Sequence, residues 1–253
     1  MQQHILITGA SGAIGGALAE AYAAPGVSLC LLGQKITQLE SVARRCRALG
    51  ASVTVKPINL LDVDGLRLWL HDYCQTTPPD LVIANAGMNI NVSNQLEGEL
   101  WTEMDALLNL NVRSTFALVN AVLPSMRQRK SGQIALVSSL AAYYGLPMTP
   151  SYCASKAAIK AYGEGLRALL SGEGIRVNVI MPGYVSSPMC DAMHGPKPFV
   201  WSPQRAAKYI KRKLARDCAR ISFPFPLNYG SWWLAVLPSA VSQWMLRLTG
   251  YRV

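Results

Sequence analysis

Tyr152 and Lys156 are the two residues of this 253-residue chain whose types and spacing most directly suggest acid–base chemistry. They are four residues apart, which places both side chains on one face of a helix. A free phenol has a pKa of about 10 and is a poor acid–base group at neutral pH. A neighbouring ammonium favours the phenolate, so we expect Lys156 to lower the pKa of Tyr152. The pair predicts proton transfer to or from a substrate oxygen.

Two serine hydroxyls are expected beside this pair. Ser138 and Ser139 end a predicted strand. The carboxyl ends of parallel strands build the binding site in open α/β sheets. The Tyr–Lys spacing alone is a weak motif, because it recurs on the surfaces of amphipathic helices, and the serines strengthen it.

A glycine-rich stretch near the start of the chain suggests a dinucleotide site. Residues 8–15 read Thr-Gly-Ala-Ser-Gly-Ala-Ile-Gly and lie between a predicted strand and a predicted helix. Small residues let the backbone turn tightly and approach a pyrophosphate, whose charge is favoured at a helix N-terminus. The position of the stretch, more than its glycine content, supports this interpretation.

The end of the second predicted strand indicates which dinucleotide binds. NAD enzymes carry an acidic residue there for the ribose hydroxyls. This chain has Gln34 and Lys35 and no carboxylate at that point. A 2′-phosphate would meet no repulsion and could pair with Lys35. We therefore expect NADP(H) rather than NAD(H).

The elements that must position these residues alternate along the chain. Short apolar strands are predicted at 4–8, 28–32, 52–58, 80–84, 133–138 and 175–180, with helices at 13–24, 36–49, from 64, at 100–128 and at 151–170. This alternation predicts an α/β fold with a doubly wound parallel sheet, the Rossmann arrangement. We expect one domain, with a catalytic body at 1–200 that includes a substrate loop at 184–200. Residues 201–253 form a C-terminal extension with a helix from Ser202-Pro203, an edge strand at 220–224 and an apolar tail.

Six pieces of the chain, in order, resemble the short-chain dehydrogenase/reductase family over residues 1–190. They are the stretch 8–15, Ala84-Asn85-Ala86-Gly87, Asn111, Ser139, Tyr152 with Lys156, and Pro182-Gly183. Ser139 stands thirteen residues before Tyr152, which is the family spacing, so it is preferred to Ser138. Ala13 departs from the family's middle glycine, and Asn59 stands where the family often has an Asp facing the adenine.

The resemblance implies an oxidoreductase that passes hydride between a nicotinamide and a carbonyl or alcohol carbon. Tyr152 would exchange the proton, and Ser139 would orient the substrate oxygen. Lys156 would hold the nicotinamide ribose, and Asn111 would position a water of a proton relay. The implied cofactor-binding residues, besides Tyr152 and Lys156, are Gly9, Ser11, Gly12, Ile14, Gly15, Gln34, Lys35, Asn59, Leu60, Asn85, Ala86, Gly87, Pro182, Gly183, Val185 and Ser187.

The net charge of +10 is concentrated at the C-terminal end. Residues 1–196 hold 14 basic and 13 acidic residues, whereas 197–253 hold 10 basic residues and one acid, Asp217. Tryptophans follow the basic segment in 232–248, a combination that suits a bilayer interface, although the stretch is too short and interrupted to span one. We expect peripheral membrane contact through 203–253. A helix that covers the substrate cleft and a subunit contact are the alternatives.

Other features of the sequence limit which class of protein this is. No basic n-region or apolar h-region opens the chain, so we expect no signal peptide and a cytoplasmic location, with attachment at the inner face of a membrane as a variant. Six cysteines without metal-type spacing predict reduced thiols and no bound metal. The basic residues lie in no recognisable nucleic-acid-binding module, so no nucleic-acid partner is expected.

The expected partners are a small carbonyl or alcohol substrate, hydrophobic if the tail does place the cleft near a membrane, and further copies of the chain in a homo-oligomer. Two other functions stay open. One is an NAD-linked dehydrogenase, and the other is a non-catalytic, regulatory dinucleotide-binding protein on the same scaffold.

Overall fold

Seven parallel strands form one sheet in the order β3-β2-β1-β4-β5-β6-β7 in the computed structural model, which describes residues 3–90, 98–193 and 195–248. The strands are β1 (Gln3–Thr8), β2 (Val27–Gly33), β3 (Ser52–Pro57), β4 (Leu81–Ala84), β5 (Gly132–Val137), β6 (Ile175–Pro182) and β7 (Arg220–Phe223). The order reverses between β1 and β4, which is the switch point where open α/β sheets bind ligands. The predicted doubly wound Rossmann fold is confirmed.

Helices connect these strands and cover both faces of the sheet. They are α1 (Ala13–Tyr22), α2 (Ile36–Ala48), α3 (Val63–Thr76), α4 (Trp101–Leu108), α5 (Ser114–Arg129), α6 (Pro150–Leu169), α7 (Pro188–Asp191), α8 (Pro203–Ala215), α9 (Leu227–Val236) and α10 (Ser239–Leu248). A π turn at Asn109–Arg113 joins α4 and α5 into the one long helix predicted from the sequence.

The strands are buried on both faces, which explains their continuous apolar sequences. Along β1, Ile5 and Ile7 point into the core layer beneath α1, α2 and α8, whereas Leu6 points into the layer beneath α3, α5 and α6. Leu31 and Leu32 of β2 divide between the two layers in the same way. This two-residue period is the geometry of a strand, and it places an apolar side chain in each layer at successive positions.

The first half of the C-terminal extension completes the sheet. Helix α8 buries Ile210 and Leu214 in the layer that α1 and α2 also cover. Ser202 caps α8 by accepting a hydrogen bond from the Arg205 backbone, as the sequence predicts. Strand β7 then pairs parallel to β6, from Val179 opposite Arg220 to Pro182 opposite Phe223. The predicted edge strand is therefore observed, and this part of the extension shares the core of the catalytic body.

The apolar tail forms two short helices. Helix α9 ends at Val236 and α10 begins at Ser239, with Pro238 between them. Ser242 of α10 donates a hydrogen bond to the Leu234 backbone oxygen, which holds the two helices together. We call residues 227–248 the C-terminal hairpin. Residues 249–253, which belong to the predicted membrane segment, and position 194 of the predicted substrate loop lie outside the described residues.

One helix in the described part of the chain, Trp101–Arg129, is long and apolar enough to cross a membrane by length and composition. Its most apolar window has a mean hydropathy of 1.3, and half of that window is buried. Leu118, Val122 and Met126 of this helix pack in the core beneath the sheet, so its apolar face already has partners within the fold.

Candidate active site

Helix α6 carries Tyr152 and Lys156 in its first two turns, and Pro150 opens the helix. The Lys156 ammonium lies 5.6 Å from the centre of the Tyr152 ring. It donates a hydrogen bond of 3.1 Å to the Val137 backbone oxygen at the end of β5. Ser138 donates to the Lys156 backbone oxygen at 2.7 Å. The end of β5 and the start of α6 are thus fastened together, which fixes the predicted pair at the sheet edge.

Burial controls the protonation of both groups. The side chains are almost fully enclosed, with 7% of Tyr152 and 5% of Lys156 exposed. Burial raises the pKa of Tyr152 to about 12, although a hydrogen bond from Ser139 opposes this effect. Burial also lowers the pKa of Lys156 to about 8. The predicted lowering of the Tyr152 pKa by Lys156 is therefore wrong for this structure, because burial is the largest cause of the shift and acts in the opposite direction.

Ser139 begins the turn that follows β5. Its hydroxyl accepts a hydrogen bond from the Ala141 backbone at 3.1 Å and donates to the Pro182 backbone oxygen at 3.4 Å. The same hydroxyl hydrogen-bonds the phenol of Tyr152. The two side chains that the sequence predicts to hold a substrate oxygen therefore lie side by side.

Asn111 lies in the π turn and is 1% exposed. Its amide donates to the Met88 backbone oxygen at 2.9 Å and to Ser155 at 3.0 Å, and its oxygen accepts from the Met88 backbone at 2.8 Å. A Cβ placed on Gly87 would lie 3.0 Å from that oxygen and 3.2 Å from the Lys156 ammonium. Asn111 thus lies behind Gly87, near Lys156, with both amide hydrogens bonded to protein atoms. Its predicted water relay stays a prediction.

The glycine-rich turn brings backbone close to backbone. Gly9 has a φ of +64°, and a Cβ there would lie 2.8 Å from the Ala86 Cα. Thr8 accepts hydrogen bonds from the Asn85 and Ala86 backbones at 3.0 and 3.1 Å. The Asn85 amide donates to the backbone oxygens of Thr8 and Gly9. Gly15 packs against the Gly9 oxygen without space for a side chain. Only glycine fits both positions.

The end of β2 carries polar, uncharged and basic groups. Gln34 donates a hydrogen bond of 2.7 Å to Asn59, whose oxygen also accepts from the Leu61 backbone at 3.1 Å. Lys35 and Gln38 line the cavity beside this pair. No carboxylate lines the cavity in the described part of the chain.

A cavity of about 1080 Å³ joins the glycine-rich turn to Tyr152. The predicted site residues that line it are Gly9, Ser11, Gly12, Ile14, Gln34, Lys35, Leu60, Asn85, Ala86, Gly87, Ser139, Tyr152, Lys156, Pro182, Gly183, Val185 and Ser187. Three predicted residues lie behind this lining: Gly15 supports the turn, Asn59 holds Gln34, and Asn111 holds the segment at Gly87 and Met88.

The far wall of the cavity is mostly apolar, and sequence reasoning missed it. Tyr144, Leu146, Met189 and Met193 form part of this wall. The C-terminal hairpin supplies another part, through residues that include Leu234 and Leu246. The sequence analysis offered a C-terminal helix that covers the substrate cleft as one alternative, which agrees with this position of the hairpin. No sequence pattern predicted which side chains of the hairpin line the cavity.

Three predicted residues after β6 are fixed by local contacts. Ser187 accepts a hydrogen bond from the Cys190 backbone, which caps α7, and donates to the Val185 backbone oxygen at 3.1 Å. Val185 forms an isolated parallel bridge with Trp201, which closes the base of the predicted substrate loop. Gly183 donates to the Phe223 backbone oxygen at 2.7 Å. The loop therefore leaves β6 in a defined direction along the cavity.

The residues present fit a nicotinamide dinucleotide. The backbone at Gly9 and Gly12 is open to close approach, and in the described residues no side chain caps α1 and no acid occupies its first turn. An anion is favoured at such a helix terminus. Within the described ranges, no group of three or more His, Cys, Asp or Glu side chains is placed to hold a metal ion. All six cysteines are free thiols.

Comparison with known families matches this arrangement. The sequence model of the family described as short chain dehydrogenase matches residues 3–196. An uncharacterized oxidoreductase of Myxococcus xanthus is 34% identical over 238 residues, which cover 92% of each chain. The Dehydrogenase/reductase SDR family protein 7-like of Anopheles gambiae is 27% identical over 96% of this chain and 81% of its own length.

Solved structures share the fold. A short-chain dehydrogenase from Sphingobium yanoikuyae, solved in complex with NADPH, superposes with a TM-score of 0.81 at 23% identity, covering 97% of this chain and 95% of that one. L-sorbose reductase from Gluconobacter frateurii, complexed with NADPH and L-sorbose, gives a TM-score of 0.76 at 22% identity, covering 88% of this chain and 95% of that one. At these identities the likeness concerns the fold.

Proposed function

This chain belongs to the short-chain dehydrogenase family of oxidoreductases, and from that premise we propose that it uses NADP(H) to interconvert the carbonyl and alcohol forms of an apolar substrate. The observation that carries the proposal is the convergence of Ser139, Tyr152 and Lys156 on one cavity that also reaches the glycine-rich turn. An acid–base group, a hydroxyl that orients oxygen and a dinucleotide cradle are the parts that this reaction needs.

In the reductive direction, Tyr152 donates its phenol proton to the substrate oxygen while Ser139 donates a hydrogen bond that orients the same atom. NADPH held in this cavity would supply the hydride for the carbonyl carbon, so that one ketone, one NADPH and one proton would give one alcohol and one NADP⁺. Because burial raises the pKa of Tyr152 to about 12, the phenol is protonated at neutral pH, which is the form that reduction requires. Lys156 stabilises the phenolate that remains, and Asn111 positions the neighbouring backbone.

The preference for NADP(H) is supported by the end of β2. Lys35 supplies a positive charge, and the Gln34–Asn59 pair supplies uncharged polar groups beside it. A 2′-phosphate at this point gains a charge-assisted contact, whereas the diol of NAD(H) gains no carboxylate acceptor. The NADPH found in two related folds agrees with this choice.

Purified protein with NADPH or NADH and a panel of apolar ketones tests the proposal. We expect turnover with NADPH and a dissociation constant for NADPH at least about tenfold lower than that for NADH, a difference of about 1.4 kcal/mol. Lys35→Ala removes the preference, whereas Lys208→Ala, on the exposed surface of α8, leaves it unchanged. Tighter binding of NADH by the unmodified protein supports an NAD-linked dehydrogenase instead. Binding of NADPH without turnover of any ketone supports the non-catalytic alternative.

The apolar substrate class rests on the far wall of the cavity. Leu146, Met189, Leu234 and Leu246 present hydrocarbon or sulfur to the cavity that Tyr152 also lines. Such a wall binds an apolar group and leaves polar substrates without partners. We propose a hydrophobic ketone or secondary alcohol as the substrate.

We also propose that the C-terminal hairpin contacts a membrane surface peripherally. Its outer side exposes Trp232, Trp233 and Trp244, of which Trp244 is 60% exposed. The hairpin carries one charged residue, Arg247, and it is basic. The basic helix α8, in contrast, buries its apolar face against the sheet, so the proposed contact is narrower than the predicted range 203–253. Tryptophans with an isolated cation suit the headgroup region of a bilayer.

The remaining proposals concern assembly and location. Exposed apolar side chains on α4 and α6, namely Trp101, Leu108 and Leu169, support a homo-oligomer. The location we propose is the cytoplasm, with the hairpin at the inner face of a membrane. Mass photometry of the purified protein tests the assembly, and a single-chain mass at micromolar concentration would contradict it.

A further inference from the structure

A second cavity, of about 1070 Å³, lies beside the catalytic cavity. Three segments enclose it: the turn 141–147, the start of α6 and the end of α10. The two cavities share four lining residues, Ala141, Tyr144, Leu146 and Leu246. They are therefore neighbours, and these side chains form the boundary between them.

The lining of the second cavity is apolar along most of its length. Pro147, Pro150, Ala154 and Ala157 present only hydrocarbon. Cys153 has its sulfur bonded to the Leu146 backbone at 3.3 Å, and burial raises the pKa of its thiol, so it contributes an uncharged surface. A wall of this kind favours an apolar chain over any polar or charged ligand.

The polar groups of the second cavity come from Tyr143 and Tyr144 on the turn and from Gln243 and Arg247 on α10. No acidic side chain lines it in the described part of the chain. An occupant is therefore apolar along α6, and any polar end it has is neutral or negative.

The second cavity adjoins the reacting groups. Ala141 follows Ser139 by two residues, and Cys153 follows Tyr152 directly. Tyr144, Leu146 and Leu246 line both cavities, so a substrate chain that starts at Tyr152 has only these side chains to pass before it reaches the second cavity. We propose that the second cavity binds the distal apolar chain of an elongated carbonyl substrate, with Leu246 of α10 covering the passage. This inference rests on the proposed function and specifies its substrate class.

Ala154→Trp tests the proposal, because its exposed side chain faces the second cavity and lies outside the catalytic cavity. Ala161→Trp is the matched control, since it places the same side chain on an exposed position of α6, two turns further along and outside both cavities. The substrates are butyl methyl ketone, whose chain we expect to stay within the catalytic cavity, and undecyl methyl ketone, whose chain we expect to extend into the second cavity.

We expect Ala154→Trp to lower kcat/KM for the undecyl ketone by about tenfold through KM, corresponding to about 1.4 kcal/mol. We expect kcat/KM for the butyl ketone to stay unchanged in both variants. In Ala161→Trp, kcat/KM for the undecyl ketone also stays at the value of the unmodified protein. Equal losses for both ketones, no loss for either, or the same loss in Ala161→Trp would overturn the proposal. A change of oligomeric state confined to Ala154→Trp would also overturn it, since the cavity would then belong to a subunit contact.

A binding measurement separates this inference from the proposed function. Dansyl-labelled undecanoic acid is titrated into each protein and its fluorescence followed. We expect about tenfold weaker binding to Ala154→Trp than to Ala161→Trp. If the unmodified protein reduces no ketone but this difference is observed, the proposed function fails and the apolar site stands. If ketones are reduced but the probe binds both variants equally, the second cavity does not bind the alkyl chain of the substrate.

Discussion

Burial raises the pKa of the Tyr152 phenol and lowers the pKa of the Lys156 ammonium, and both shifts disfavour the charged form. Burying these two ionisable groups therefore lowers the stability of the fold before any substrate binds. Lys156, which is 5% exposed and donates a hydrogen bond to the Val137 backbone oxygen, has lost most of its hydration. A buried ionisable group of this kind is typical of a functional site, and we expect a neutral side chain of similar size to be more stable at this position.

Replacing Lys156 with Met tests this statement. The folded pKa of about 8 lies below the ordinary value of 10.5, so the unfolded chain binds more protons between those two pH values. Stability of the unmodified protein therefore rises with pH through this window, and the penalty of the charge is complete below pH 8. We expect Lys156→Met to raise the melting temperature of the cofactor-free protein by several degrees at pH 7, with a difference that shrinks toward pH 10.5.

The matched control is Lys208→Met on the exposed side of α8, which is expected to leave the melting temperature within about a degree of the unmodified protein. Scanning calorimetry across the pH range measures both variants. A Lys156→Met protein that melts below the unmodified protein at pH 7 would show that the ammonium stabilises the fold.

The residue types of the site were predictable, and their protonation was not. Spacing alone selected Ser139 over Ser138, and the structure places Ser139 against Tyr152 and Ser138 against the Lys156 backbone. The pKa direction was wrong because it depends on how completely the surrounding chain excludes water. No pattern in the three residues between Tyr152 and Lys156 encodes that exclusion.

At the scale of elements, the turn between β1 and α1 matters most. Gly9 has a positive φ and lies against the backbone of Ala86, which follows β4. The turn therefore joins the two strands on either side of the switch point. A side chain at this position would strain the backbone and separate those strands.

Gly9→Ala and Gly26→Ala form a matched pair that separates these two effects. Both glycines have positive φ, but a Cβ on Gly26 meets nothing within 4 Å in the described structure. We expect Gly26→Ala to lower the free energy of unfolding by about 1 kcal/mol from backbone strain alone. Gly9→Ala should lower it further and should also weaken NADPH binding. Urea denaturation and a fluorescence titration measure the two quantities, and equal losses in both variants would contradict the close contact at Ala86.

Strand positions were predictable because each strand is a continuous apolar run. The predicted ranges 175–180 and 220–224 correspond to the observed β6 and β7 within two residues. The π turn at Asn109–Arg113 was not predictable, since its residues suit an ordinary helix. The position of the C-terminal hairpin was also not predictable, because it depends on contacts with the turn 141–147 and the loop after β6, far away in sequence.

At the scale of the whole molecule, the positive charge and the exposed apolar surface of the C-terminal extension lie on different helices. The basic residues of the extension lie mostly on α8, which packs against the sheet, whereas Trp232, Trp233 and Trp244 are exposed on the C-terminal hairpin. The inner side of the same hairpin lines the catalytic cavity through Leu234 and Leu246. One element therefore faces the proposed substrate site and the proposed membrane, which would let an apolar substrate enter without crossing water.

Vesicle flotation tests the membrane contact. We expect the triple variant Trp232→Ser, Trp233→Ser and Trp244→Ser to lose most of the vesicle-bound fraction, because these side chains supply the apolar area of the contact. Leu68→Ser is the control, since Leu68 is 72% exposed but lies on α3, outside the hairpin and outside the proposed subunit contact. Recovery of the triple variant with vesicles at the level of the unmodified protein would contradict the proposal, and vesicles with and without anionic lipid show how much Arg247 contributes.

The central claim is that the phenol of Tyr152 delivers the proton during NADPH-dependent reduction. A single-turnover measurement of NADPH oxidation with an apolar ketone tests it most directly, comparing the unmodified protein with Tyr152→Phe. Removing a general acid typically costs a factor of 10²–10⁴, so we expect a loss of about a hundredfold or more. NADPH affinity should change by less than about twofold, because the ring remains. An equal rate of oxidation in the two proteins would contradict the account.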